Sequence, residues 1–526
     1  MKNLFQFKNI YFHLFLICYF VGITILSLNV GITHDESHSN WVWKLNQKKL
    51  SNIIGIGDYD ISYLNTYHGY YGVGFYFVAA PLEIIFSNLI KIKNINYEGT
   101  TLLFKHPIVF IYFFISGIFF RKIIHFITKD KSFSNISTIL YLTYPYLLGH
   151  SFFNIKDIPF MSIWLINTFL IIKILNDLFY QDRLKKKDLL ILGILTAYLL
   201  SLRISGILIF VEYFIFLIFY LNNFKISLFK FLKINSKKLI LFLLTSILFT
   251  YLFYPSFWSN PLGFLDALNF MGQHIQTVCT LTLGECMKAQ NLPSSYLFIW
   301  MFFKLPVLVL FGLFLFPIIE KKIFLKKNNV LILGSLICSV LTIIFLLIFF
   351  DVNLYDELRQ VMFILPLIFI ISLVTIYYLS RKISIILISL CIVFFLFQNF
   401  KLFPYNYLWL NNLNIFTEVN GNFEKDYWGV STKEIASYFN NKNLKKNSCI
   451  ISNRNDGIKY FLIDQGVCFK PFSDLLKTNK RPFYVVLTER AIDKGIPNKC
   501  NLIHKEVINI NFSKEEVVLA KIYECY

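Results

Sequence analysis

Apolar runs about as long as a bilayer core is thick recur between residues 10 and 399, and about 20 helical residues suffice for each crossing. Inside that core every backbone amide must be paired within the chain, so such a sequence folds as a bundle of transmembrane helices. Crossings are expected near residues 10–30, 106–120, 134–149, 158–176, 189–202, 205–221, 239–254, 296–318, 329–350, 361–379 and 383–399, eleven in all. Composition agrees, because 16% of residues are charged where a soluble protein carries about 25%. The first run, Ile10–Leu28, is longer than a signal-peptide core and lacks a small-residue cleavage site, so it reads as a membrane helix.

The formal charge of +20 is concentrated in short loops between the runs, such as Arg183/Lys185/Lys186/Lys187 and Lys321/Lys322/Lys326/Lys327. That distribution is topogenic and lipid-facing, and argues against a nucleic-acid partner. The basic clusters share one side if 10–30 leaves the cytoplasm and 106–120 returns to it. The run 70–90 would invert every later loop if it crossed. It contains Gly72, Gly74, Pro81 and Glu83, and is read as an interfacial or re-entrant helix. Residues 31–105, 150–157, 255–295, 351–359 and the tail then share the outer face. From Lys401 charge density becomes ordinary and short apolar runs alternate, so residues 401–526 are expected to form an extracytoplasmic α/β domain beside a membrane domain of residues 1–400. Ser431 with Glu434 marks a helix start there. Cys279 with Cys286, and Cys449, Cys468, Cys500 and Cys525, all fall on that face, where disulfides can form; spacing does not give their pairing.

Three sets of residues on the outer face carry chemistry. Asp35 and Glu36, in HDES after the first run, suit the start of a helix, and a carboxylate at the membrane boundary also suits a general base. Asp157 and Lys156 lie in NIKDIP, between two runs. Arg203 separates two apolar runs, Lys304 lies about two turns into one and Arg359 opens another, places where a charge needs a partner or a role; together they suit an anionic headgroup such as phosphate. His34, His38 and His68 with Asp35 and Glu36 leave room for a divalent cation, with no diagnostic spacing and no assigned metal ligand.

In their order and sidedness these segments resemble the membrane glycosyltransferases of the GT-C fold, specifically the family-39, aminoarabinose-transferase-like and protein O-mannosyltransferase-like group. HDES follows the first run, NIKDIP the third, and LRISG, FKLP and YDELRQVMFILP follow in turn, with FEKDYWGVSTKE after the last. The chain has His68-Gly69-Tyr70-Tyr71 where the family has His-Pro-Pro-Leu, and lacks the long external insertion of eukaryotic O-mannosyltransferases. The resemblance implies an integral, multi-pass protein of the bacterial plasma (inner) membrane. It would transfer one sugar, with inversion, from a polyprenyl-phosphate donor to a lipid, glycan or protein hydroxyl at the outer face. Asp35 would be the base, Glu36 its neighbour, and Asp157 would orient the acceptor or a metal. Lys156, Arg203, Lys304 and Arg359 would hold the lipid phosphate, with His68 near the substrate. A transporter or flippase of lipid-linked intermediates is the rival from another class, disfavoured by the lack of an internal repeat and by acids gathered at one face. An oligosaccharide polymerase or ligase would differ in the size of the unit moved.

Overall fold

The computed structural model describes residues 9–89, 92, 95–181, 184–274, 278–413, 417–442, 444, 448–463, 466–472, 483–488, 500–510 and 515–526. Nineteen α-helices and seven strands are present among them. The chain is a multi-pass membrane protein. Eight helical stretches are long and apolar enough to cross a bilayer, or nine if one bent pair counts as a crossing.

α1 (Asn9–Ser27) is the first crossing and leads into α2 (His34–Ile53), α3 (Gly74–Leu89) and α4 (Tyr97–Leu103), which lie outside the first span. α3, 16 residues with Pro81 inside it, is not among the crossing helices, as the sidedness of the basic loops requires. α4 runs on into α5 (Lys105–Thr128). The stretch expected to cross over 134–149 is built as two helices, α6 (Lys131–Thr143) and α7 (Pro145–His150). Pro145 has no amide to continue the ladder, so α6 stops after 13 residues, about 20 Å. α8 (Asp157–Gln181), α9 (Lys186–Leu202), α10 (Ile209–Asn223) and α11 (Leu228–Phe253) follow. α9 has 17 residues, the lower end of spanning length. After the short α12 (Gly263–Met271), strands β1 (Cys279–Thr282) and β2 (Glu285–Lys288) form a hairpin closed by the Cys279–Cys286 disulfide.

The expected crossing at 296–318 is two helices, α13 (Tyr296–Lys304) and α14 (Val307–Phe324), bent by 117° around Leu305–Pro306. α15 (Lys327–Phe349), α16 (Leu365–Leu379) and α17 (Arg381–Leu402) complete the bundle. α16 is apolar around its whole circumference and is its centre, as such a helix must be. α11 and α17 instead present exposed Ile247, Leu248, Leu390 and Val393 at the periphery, where lipid tails are as apolar as leucine. Charges are paired near the helix ends, as in Lys173–Asp188 at 3.2 Å.

After α17, Tyr405, Tyr407, Trp409, Phe423, Tyr427 and Trp428 pack into the same core as the spans. α18 (Thr432–Lys442) and α19 (Asn455–Phe461) then cover one face of a five-stranded sheet made by β3 (Cys449–Ser452), β4 (Cys468–Pro471), β5 (Phe483–Thr488), β6 (Cys500–Asn509) and β7 (Glu516–Cys525). Its order is β4-β3-β5-β7-β6, parallel around β3 and antiparallel around β7. Alternation along the strands separates two clusters: Ile450, Tyr484 and Ile522 face the helices together with Ile32, Leu102 and Leu103 of the segment between α1 and α5, while Ile451, Val485 and Leu487 face away. The sheet is thereby docked on that segment. Disulfides join Cys449 to Cys468 and Cys500 to Cys525 across paired strands; the free cysteines, Cys18, Cys338 and Cys391, lie on α1, α15 and α17.

Candidate active site

Above the bundle lies a cavity of about 370 Å³, walled by α2, the segment around Tyr71, the start of α10, the end of α15, the turn before α16, and residues 427–428 and 454 of the tail. Every part of this wall comes from, or adjoins, a segment that the basic loops place on the outer face.

Asp35 is the second residue of α2 and faces the cavity. Arg359 Nη1 lies 3.1 Å from its Oδ2, and Nη2 of the same guanidinium lies 3.0 Å from Asp356 Oδ2. The guanidinium is stacked over Trp428 and Tyr355, at 4.5 and 4.9 Å from the ring centres. Burial alone would raise the Asp35 pKa, but the positive charges of Lys156, Arg359 and His34 outweigh it and hold the carboxyl well below the usual range. Lys156 places its ammonium 4.7 Å from the Tyr71 ring and lines the same cavity; burial pushes its pKa down. Arg203, in the extended residue between α9 and the 3₁₀ turn Ile204–Leu208, completes a cationic wall.

The local sequence explains these placements. Asn154 caps α8 by accepting the Asp157 amide at 2.9 Å and donates to Asp157 Oδ2 at 3.0 Å, while Arg203 donates to Asp157 Oδ1. Gly72 lets the Tyr70–Tyr71 segment lie against the end of α9, because a Cβ there would come within 2.3 Å of the Ser201 carbonyl oxygen. Asp356 and Glu357 both have left-handed backbones, φ 58° and 65°, a conformation that costs a non-glycine residue about 1–2 kcal/mol. The turn is held by Thr280 Oγ1, which accepts the Asp356 amide at 2.9 Å, and by Tyr296, whose hydroxyl oxygen accepts the Glu357 amide at 3.1 Å. In the tail, Asp426 accepts the amides of Val430 and Ser431, both at 2.9 Å, and the hydroxyl of Tyr407, fixing the turn that presents Tyr427 and Trp428.

Of the residues expected from sequence, Asp35, Lys156, Arg203 and Arg359 line the cavity. The other four are placed elsewhere. Glu36 is fully buried behind the wall, where Oε2 accepts the Thr33 amide at 2.7 Å and Oε1 lies 2.8 Å from His106 Nε2. It is a cap and a helix-to-helix tie, not a cavity carboxylate. Asp157 is 2% exposed and positions Arg203. Lys304, at the kink after α13, is buried 2.8 Å from Glu357 Oε2 and supports the left-handed turn. His68 stands one layer back, with Nδ1 3.2 Å from His38 Nε2. The set of His34, His38, His68, Asp35 and Glu36 does not assemble a metal site: among the described residues no three His, Cys, Asp or Glu side chains are placed to hold an ion.

Two wall residues have no local sequence signal, His274 and Arg454, while Tyr355 and Trp428 lie in the segments YDELRQVMFILP and FEKDYWGVSTKE without having been singled out. Arg454, just before α19, donates from Nη2 to the Tyr427 carbonyl at 2.9 Å. The cavity has an apolar slot lined by Ile204, Ile207 and Leu208 of the 3₁₀ turn that leads into α10, Met271 of α12 and Leu347 near the end of α15. α10 and α15 are crossing helices, so this slot lies at the membrane.

No family model matches the chain, and no curated protein matches it. Among solved structures it is similar to ArnT from Cupriavidus metallidurans, crystallised with undecaprenyl phosphate, at 10% identity and a TM-score of 0.46 over 97% of each chain. At that similarity no residue of one chain is equated with a residue of the other.

Proposed function

We propose that this protein is a GT-C-type membrane glycosyltransferase that moves one sugar from a polyprenyl-phosphate donor to an acceptor hydroxyl at the outer face. The observation that carries this reading is the juxtaposition, in one cavity, of a carboxylate, three cations beside it and an apolar slot at the level of the lipid. A polyprenyl-phosphate sugar has matching parts: an apolar tail, an anionic phosphate and a sugar joined to it. The pairing of cysteines supports an outer location, since all three disulfides fall on that side and the free cysteines lie in the spans.

In this reading the acceptor oxygen attacks the anomeric carbon while Asp35 takes its proton. The bond from that carbon to the phosphate oxygen breaks, and polyprenyl phosphate leaves with the electron pair. One displacement inverts the anomeric centre. Lys156, Arg203 and Arg359 stabilise the charge growing on the leaving phosphate. Asp35 bound to Arg359 is a weak base, because its carboxyl is held so acidic. A donor phosphate adds negative charge beside it and competes for the same guanidinium, which raises the basicity of Asp35 when substrate is in place. His38, near Asp35 on α2, and Arg454 are free to contact the substrate groups that flank the reacting atoms. No step requires a metal ion.

The test uses purified full-length protein in lipid nanodiscs with a panel of polyprenyl-phosphate sugars and candidate acceptors. Release of polyprenyl phosphate with one donor supports the proposal. Intact donor across the panel, with lipid translocated instead, favours a flippase.

A further inference from the structure

Beside Lys156 of the cationic wall, five ring side chains form a closed circuit. His38 Nε2 lies 3.2 Å from His68 Nδ1, the His68 ring is 4.0 Å from Tyr67, and Tyr67 is 4.7 Å from His274. His274 Nε2 lies 3.2 Å from the Tyr71 hydroxyl, and the Tyr71 ring packs edge-on at 5.0 Å against His38, closing the loop. Three separate parts of the chain build it: α2, the 3₁₀ turn at Tyr67–Tyr70 with Tyr71 after it, and the residues that follow α12. His38, Tyr71 and His274 line the cavity, while Tyr67 and His68 stand behind them.

The structure assigns this circuit to the glycosyl group of the donor, as the surface that recognises its hydroxyls. The assignment rests on the transferase reading and sharpens it. The first support is reach. The Lys156 ammonium that faces the cavity sits 4.7 Å over the Tyr71 ring, and a sugar is joined to its phosphate through one oxygen, so a phosphate held by Lys156 puts the sugar against Tyr71 and its neighbours. Asp35 is three residues before His38 on the same helix, which places the proton acceptor at the edge of this surface.

The second support is chemistry. Burial and the charge of Lys156 push His38 down to about 4, and burial lowers His68 and His274 as well, so all three imidazoles are neutral at pH 7. A neutral imidazole has one donor and one acceptor nitrogen, which suits hydroxyl groups and not a phosphate. His274 Nδ1 is buried and has no hydrogen-bond partner among the described residues. The rings also provide flat apolar area for the C–H face of a pyranose or furanose.

The experiment compares equilibrium binding of undecaprenyl phosphate with that of undecaprenyl-phosphoryl glucose, mannose and arabinose to the full-length protein in nanodiscs. The wild type is expected to bind at least one glycosylated lipid roughly tenfold more tightly than the bare phosphate lipid. His274→Ala and the milder Tyr71→Phe, which keeps the ring and removes the hydroxyl bonded to His274, are expected to abolish most of that advantage. Their affinity for undecaprenyl phosphate should stay within about twofold of wild type. His274→Gln, which retains a donor and an acceptor, should restore part of the advantage. Equal weakening of both lipids would make the circuit a structural brace and overturn the assignment. An unchanged advantage with a raised KM for the acceptor would move the surface to the acceptor side, also overturning it. A wild type with no preference for any glycosylated lipid refutes the assignment alone; a wild type that binds neither kind of lipid refutes the transferase reading with it.

Discussion

Thr280 accepts the backbone amide of Asp356 at 2.9 Å, and through that bond a disulfide-closed hairpin holds the turn carrying Arg359. The hairpin is itself pinned to the tail, with the Leu281 amide donating to Glu424 Oε2 at 2.7 Å and the Glu424 amide to the Leu281 carbonyl at 2.9 Å. Removing the acceptor leaves a buried amide unpaired next to two left-handed residues, at a cost of about 1–3 kcal/mol. Thr280→Val should therefore lower donor turnover strongly with little loss of membrane-inserted protein, and Thr280→Ser should restore it. If Thr280→Val turns over donor like the wild type, the turn does not depend on this bond.

Asp35→Asn keeps the size of the side chain and removes the proton acceptor. A general base contributes about 10²–10⁴-fold, so kcat for donor consumption should fall by that order while the variant still binds undecaprenyl phosphate. Near-normal kcat would remove Asp35 from the role of base.

The Asp35–Arg359 pair sets the direction of the pH dependence. The base is needed ionised, so activity is lost as pH falls through its pKa. In free protein that pKa lies well below the usual carboxylate range, and bound donor phosphate raises it. The acid limb of kcat should accordingly lie at higher pH than the acid limb of kcat/KM. Repeating both profiles in His38→Gln separates the imidazole that titrates at about 4. Coincident limbs, or the reverse order, would contradict competition for Arg359 by the phosphate.

Lys304 and Glu357 form a pair with side chains 1% exposed, and loss of one partner strands a buried charge. Lys304→Met alone should destabilise by about 3–5 kcal/mol, read as a lowered melting temperature in detergent, and Lys304→Met with Glu357→Gln should recover much of it. A double variant no more stable than Lys304→Met would show that Lys304 acts through its bond to the Tyr407 carbonyl at 3.2 Å and not through Glu357.

The sequence made the helical membrane architecture legible because the hydrocarbon core imposes about one length on every crossing. It also led to Asp35, Lys156, Arg203 and Arg359, each of which stands at the end of an apolar run where a charge is conspicuous. The choice between Asp35 and Glu36 was open on composition, yet Thr33 followed by Glu36 is itself a capping pattern, and in the structure it is Glu36 that turns inward to the cap. Lys304 looked like a phosphate ligand because its partner, Glu357, is 53 positions away and reaches it only through a left-handed turn. His274 and Arg454 were illegible for a related reason: nothing near them in sequence is conspicuous, and only tertiary packing brings them to the wall, whereas Trp428 stands in FEKDYWGVSTKE, a segment that was conspicuous without naming it. The stretches 134–149 and 189–202 were legible as apolar runs, but not in detail, since hydropathy registers apolarity more readily than the break at Tyr144–Pro145 or the short length of α9.

The docking of the sheet on the segment between α1 and α5 has a consequence for the order of synthesis. Asp35 emerges among the first residues made, but Trp428, against which Arg359 is stacked, and Arg454 belong to the last quarter of the chain. A nascent or shortened polypeptide can therefore insert its helices while its cavity lacks one side. Such a chain, cut after residue 415, should reach the membrane and leave the donor untouched. Folding of the tail is thus the step that completes the cavity, and in the transferase reading it would keep half-made copies from acting on lipid carriers.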